Sequence, residues 1–128
     1  MSILTSCSID SDETDTFYLE VLAIDSVEIP EQFLLGESYD ISMTYTKPNS
    51  CYQFNDFIYE IINDERSVAI VNTVYPNANC TRAQESVTVS FNFTISETEP
   101  YVFKFYQGED SEGVDQYYFV EVPVEVPD

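Results

Sequence analysis

The sequence predicts a single-domain, all-β protein built as an antiparallel β-sandwich. Three observations carry that prediction. Between residues 17 and 126 apolar side chains recur at every second position, the period of a pleated strand with one covered face. Clusters of Pro, Asn, Asp, Ser and Gly interrupt the alternation at near-regular spacing, as turns do. No segment shows the three-and-four spacing of an amphipathic helix. The chain has 128 residues, 44% of them hydrophobic, which suffices for one core and one domain.

The elements follow in order. Residues 17–24 form a first apolar segment, continued by Val27 and Ile29 and broken at Pro30. A turn at 33–38 leads into Tyr39, Ile41, Met43 and Tyr45, which alternate with Asp40, Ser42, Thr44 and Thr46. Lys47-Pro48-Asn49-Ser50 makes the next turn. Residues 51–62 are aromatic and β-branched, but their alternation is blurred, so this strand is covered on both faces or carries a bulge. A polar turn at 63–66 precedes a strand over 67–75, and a loop opens at Pro76 toward Cys80. Val87, Val89, Phe91, Phe93 and Ile95 give the strongest alternation in the chain. After a break at Pro100, Tyr101, Phe103 and Phe105 alternate with Val102, Lys104 and Tyr106, and a hairpin tip spans 107–113. The last strand sets Tyr118, Val120, Val122, Val124 and Val126 on one face, and Pro123 and Pro127 place it at a sheet edge or at an exit from the sheet. About seven strands result. Over most of 17–126 the pattern resembles immunoglobulin-like and fibronectin-like domains, which implies two antiparallel sheets packed face to face.

Composition removes whole classes of function. Twenty-four acidic residues face four basic ones, a formal charge of −20. That surface repels phosphate backbones, since nucleic-acid affinity rests on Lys and Arg displacing counterions. It repels anionic headgroups equally, which leaves a lipid anchor as the expected route to a membrane. The same charge keeps chains apart and points to a monomer. The chain has no His, so the commonest general base and transition-metal ligand is missing. Carboxylate pairs are too numerous here to mark a glycosidase site, and no nucleophile-and-base motif occurs; the reading is that the protein is not an enzyme.

The N-terminus supplies an address. Leu4-Thr5-Ser6-Cys7 places an aliphatic residue and two small residues before a cysteine, and 8–16 is rich in Ser, Thr and Asp. The tetrad resembles a bacterial lipobox, in which the thiol carries a diacylglycerol. The acidic stretch resembles the segment that follows the lipidated cysteine in surface lipoproteins of Gram-negative outer membranes. The resemblance implies a shortened signal remnant and acidic disordered tether over 1–16, a sandwich over 17–128, lipidation of Cys7, and export to the outer-membrane surface. The alternative is an ordinary N-terminal tail with a free thiol. With Cys7 set aside for lipid, an exported chain leaves Cys51 and Cys80 oxidised, and both fall at turn-to-strand junctions. Their disulfide would stabilise the fold by roughly 3–4 kcal/mol in the chain-entropy view. Two free thiols or a pair of metal ligands are the alternatives.

Two surface sites are legible. Glu109, Asp110, Glu112 and Asp115 crowd the last hairpin tip, and calcium wants several oxygens at short range; no other cofactor is implied, and a solvated acidic tip is the competing reading. If Phe103, Phe105, Tyr118 and Val120 point inward, Tyr106, Tyr117 and Phe119 point outward on adjacent strands, with Tyr52 or Phe54 able to join them. Exposed rings on a flat sheet stack on sugars or anchor a protein. The expected function is therefore a non-catalytic surface module that binds a protein or glycan partner. A structural or calcium-stabilised domain without a ligand is the alternative.

Overall fold

A computed structural model describes residues 16–76 and 78–127. Cys7 and residues 8–15 lie outside the described residues. Ten strands follow in chain order: β1 (Tyr18–Leu22), β2 (Ile24–Glu28), β3 (Phe33–Leu34), β4 (Ser38–Lys47), β5 (Tyr52–Ile62), β6 (Glu65–Val74), β7 (Glu85–Thr94), β8 (Tyr101–Glu109), β9 (Asp115–Val122) and β10 (Val124–Glu125). The described residues contain no helix.

Two main sheets face each other across one core. The smaller has the order β2-β4-β7, all antiparallel, with β4 and β7 in unbroken register from Ser38↔Thr94 to Lys47↔Glu85. The larger is built around β6. One side of β6 carries β5 along its whole length. The other side is shared: β1 runs antiparallel beside Ile70 to Val74, and β8 runs parallel beside Glu65 to Val68. Strand β9 pairs only with β8 and forms an edge.

The all-β sandwich is what the alternation demanded, but its details differ from expectation. The strand count is ten rather than about seven. The first apolar segment splits at Ala23, sending β1 to one sheet and β2 to the other, and two-residue bridges form separate elements. Two pairings are parallel: β6 with β8, and β3 with β10. An immunoglobulin domain sets strand C beside strand F. With β4, β7, β8 and β9 taken as B, E, F and G, β5 would be C. Instead its hairpin partner β6 lies beside β8, and since β6 runs opposite to β5 the contact becomes parallel.

Local chemistry explains the joints. Asn63 and Asp64 both adopt positive φ (53° and 67°), which gives the two-residue loop between β5 and β6 the twist a hairpin needs. Pro123 ends β9, and the chain then pairs with β3: Phe33 N donates to Pro123 O at 2.9 Å and Leu35 N to Glu125 O at 2.9 Å. At Gly108 (φ +92°) strand β8 passes the β1–β2 crossing so closely that a Cβ would meet Ala23 Cβ at 3.3 Å. Cys51 and Cys80 are joined, Cα to Cα 5.3 Å, tying the start of β5 to the loop that follows β6.

The core is layered by ring and branch. Phe33 is fully buried, with the rings of Tyr39, Tyr101, Phe93 and Phe103 at 5.1, 5.7, 6.1 and 6.4 Å. Ile41, Met43 and Tyr45 of β4 meet Val68 and Ile70 of β6 and Phe103 and Phe105 of β8 in a single cluster. The Tyr101 hydroxyl accepts the amides of Ser96 and Glu97, each at 3.0 Å, pinning the β7–β8 corner as tyrosine corners do. Inside the core, Tyr45 donates to Asn72 Oδ1 at 3.2 Å, and burial raises the Tyr45 phenol above its ordinary value.

Candidate functional site

The two outer faces of the sandwich differ chemically. On β4 and β7 the outward side chains form a polar ladder. Ser38 and Thr94 share a hydrogen bond at 2.7 Å, Ser42 and Ser90 at 2.7 Å, and Thr44 and Thr88 at 2.8 Å, while Asn92 donates to Asp40 at 3.1 Å. These groups satisfy one another. The outer face of the five-stranded sheet instead exposes Leu19 and Val21 on β1, Ile58 and Ile62 on β5, and Phe119 on β9. Exposed apolar groups collected on one face are the usual mark of an interaction surface.

The predicted ring cluster lies on this apolar face. Tyr106 and Tyr117 are register partners with ring centroids 5.8 Å apart, and the 56%-exposed Phe119 lies 6.5 Å from Tyr117. The parity is as the sequence required, because β8 and β9 alternate regularly there. Lys104 reaches the cluster from the neighbouring position, its Nζ 4.7 Å from the Tyr117 ring centroid. Beside the rings is a shallow depression of about 280 Å³ lined by Val21, Ile58, Ala69, Tyr106 and Tyr117, with carboxylates from Glu60 and Asp115. Burial, reinforced by Asp115 and Glu109, holds the Tyr106 phenol above its ordinary pKa. Aromatic faces flanked by carboxylates offer both stacking area and acceptors for hydroxyl groups.

Tyr52 and Phe54 do not join that cluster. A register shift between Phe54 and Asp56 inserts Asn55 as a bulge, so Tyr52, Phe54, Phe57 and Tyr59 all turn toward the facing sheet. Tyr52 is buried, donates to Glu20 Oε1 at 2.9 Å, and has its phenol pushed up to about 12, first by burial and then by that carboxylate.

At the hairpin tip one of the four carboxylates belongs to the turn itself. Asp110 Oδ1 accepts the amides of Glu112 at 2.8 Å and Val114 at 3.0 Å, and Gln116 Nε2 reaches Oδ2 at 3.3 Å. Those amides hold the Asp110 carboxyl below its ordinary pKa. Asp110 N also donates to Val114 O at 2.9 Å, so the carboxylate closes its own turn. Glu109 and Asp115 are register partners across the strand ends. Among the described residues, no three His, Cys, Asp or Glu side chains gather as a metal would need.

One feature was not legible in sequence. Strands β5 and β7 are edges of the two sheets on the same side of the sandwich, and between them opens a mostly apolar cleft of about 290 Å³ lined by Asp56, Phe57, Tyr59, Phe91, Asn92 and Phe93. The rings of Phe57 and Phe91 are 5.2 Å apart across it. It ends at Arg66, which donates to Glu97 at 3.1 Å and to the Tyr59 hydroxyl, and lies 4.6 Å over the Tyr101 ring.

No protein-family model, no curated protein and no solved structure matches this chain.

Proposed function

We propose that the protein is a non-catalytic binding module, displayed on the outer-membrane surface through a lipid on Cys7. It engages a protein or glycan partner through the outer face of its five-stranded sheet. The observation that carries this reading is the contrast between the two outer faces. One is a self-satisfied ladder of hydroxyls and amides. The other presents Tyr106, Tyr117 and Phe119 beside Val21 and Ile58, with Lys104 and two carboxylates at hand. Covering such rings releases ordered water and gains stacking, without any need for a general base or nucleophile.

Two measurements test the proposal. Mass spectrometry of the native protein should find a diacylglycerol adduct on Cys7; an unmodified Met1-to-Cys7 stretch ends the lipoprotein part. For the binding part, the doubly substituted Tyr117→Ser, Phe119→Ser protein should lose at least about tenfold in affinity for whatever the wild type captures on a glycan array or by cross-linking on intact cells. Equal capture by both proteins would remove the sheet face from the account.

A further inference from the structure

We infer that the cleft between β5 and β7 is a second docking site, which takes an extended, basic peptide segment of another protein as an added strand on β7. The site is separate from the ring cluster and does not depend on it. The backbone supplies the first argument. Strand β7 pairs only with β4, in ten-residue register without a bulge, so its other edge presents free N–H and C=O groups among the described residues. Long exposed edges are normally blunted by Lys, Pro, bulges or inward charges. From Ser86 to Thr94 this strand has none of these. Strand β5, by contrast, is blunted: it carries the Asn55 bulge, and Asp56 Oδ1 accepts the Phe57 amide at 2.7 Å. One edge of the cleft is therefore open for pairing and the other is closed.

The side chains supply the second argument. A strand laid beside β7 sends alternate residues into the cleft, onto Phe57, Tyr59, Phe91 and Phe93. Those four are partly exposed, and Ile61 beside them is 57% exposed. The occupant thus needs apolar residues at every second position over about the length of β7.

Charge chooses among occupants. On the far side of Arg66 lies a separate pocket lined by Asp64, Glu97 and Glu99, three carboxylates against the one guanidinium that Glu97 already engages. Asp56 lines the cleft itself. Among the described residues Asp56, Asp64 and Glu99 form no ion pair. A second copy of this chain is disfavoured, because each copy brings a charge of −20. A segment with Lys or Arg at the end that meets Asp64 and Glu99 is complementary in shape, hydrogen bonding and charge.

The test uses synthetic decapeptides with the whole chain. One alternates Val or Phe with Thr and ends in two Lys; a second is its scramble; a third carries Glu in place of Lys. Two further versions of the first are N-methylated at alternate residues, in one parity or the other. The expected result is saturable binding of the first peptide, with amide shifts confined to 85–94 and 57–61. The scramble and the acidic peptide should bind at least about tenfold more weakly. One N-methylated parity should abolish binding while the other leaves it within about twofold, because successive backbone groups of a strand point to opposite sides. Any of four outcomes overturns the inference: no binding at millimolar peptide, equal binding by both methylated versions, equal binding by the acidic peptide, or shifts on β8 and β9 instead. The last of these would assign peptide binding to the ring cluster and leave the proposed function standing. Sedimentation that reveals a dimer with protected β7 amides would also overturn it, in favour of a second copy.

Discussion

Removing a single oxygen tests how the β7–β8 corner is held. Tyr101 is 3% exposed, and its hydroxyl accepts two backbone amides, from Ser96 and Glu97, at 3.0 Å each. Tyr101→Phe keeps the ring, leaves no large cavity, and retains the guanidinium of Arg66 4.6 Å above it. What it loses is the shared acceptor. An orphaned buried donor costs about 1–3 kcal/mol, but Ser96 and Glu97 are themselves exposed, so water reaches part of what is vacated. The net cost should be about 1–2 kcal/mol, a fall in Tm of about 4–8 °C for a domain of this size. Urea unfolding followed by tyrosine fluorescence should show the midpoint shift with an unchanged m-value. Tyr118→Phe, at a phenol that is 47% exposed, is the control and should stay within about 0.5 kcal/mol of wild type. If the two variants are equally stable, the corner is not held by that hydroxyl.

The remaining predictions concern the other joints. Gly108→Ala should destabilise the protein by about 1–3 kcal/mol in thermal melts, since the position combines φ +92° with a 3.3 Å approach to Ala23. Alkylation without reduction should leave Cys51 and Cys80 unlabelled, and the Cys51→Ser, Cys80→Ser double variant should lose about 3–4 kcal/mol in denaturant titrations, given a separation of 29 residues. The Tyr52 phenol is pushed up to about 12 from 10.0, so the folded state prefers its neutral form; this stability is complete below pH 10 and drains away between pH 10 and 12. Ultraviolet phenolate titration should therefore show Tyr52 ionising late, and Tyr52→Phe should flatten that alkaline loss.

How much of this was legible depends on whether a feature is local. Alternation on β4, β7, β8 and β9 fixed which side chains face inward, and so placed Tyr106, Tyr117 and Phe119 on the outer face correctly. Pro123 marked the exit from β9 because a missing donor is a property of one residue. The blurred pattern of 51–62 suggested a bulge without locating it. Since Asn55 reverses the parity, Phe54 and Phe57 share a face that simple alternation would divide between them. The parallel neighbours β6 and β8 left no trace, because pairing between distant strands is a choice among compatible patterns and each strand looks the same in either arrangement. The cleft was hidden for the same reason. Phe91 and Phe93 belong to the strongest alternation in the chain, but only the sheet order makes β7 an edge, and from Ser86 to Thr94 this strand has none of the charges or prolines that advertise one. Within the hairpin tip, acidic composition leaves a cation site and a solvated tip as readings; the turn that Asp110 closes, accepting the amides of Val114 and Glu112, depends on backbone geometry that composition does not carry.

The central structural claim is that one edge of this sandwich stands open over an apolar cleft, and amide hydrogen exchange of the dilute monomer tests it most directly. Protection should alternate along 85–94, with amides that point to β4 slow and those between them exchanging near the rate of unstructured chain. Uniformly slow exchange at every position of β7 would mean that something already covers this edge, and that it is not open for pairing.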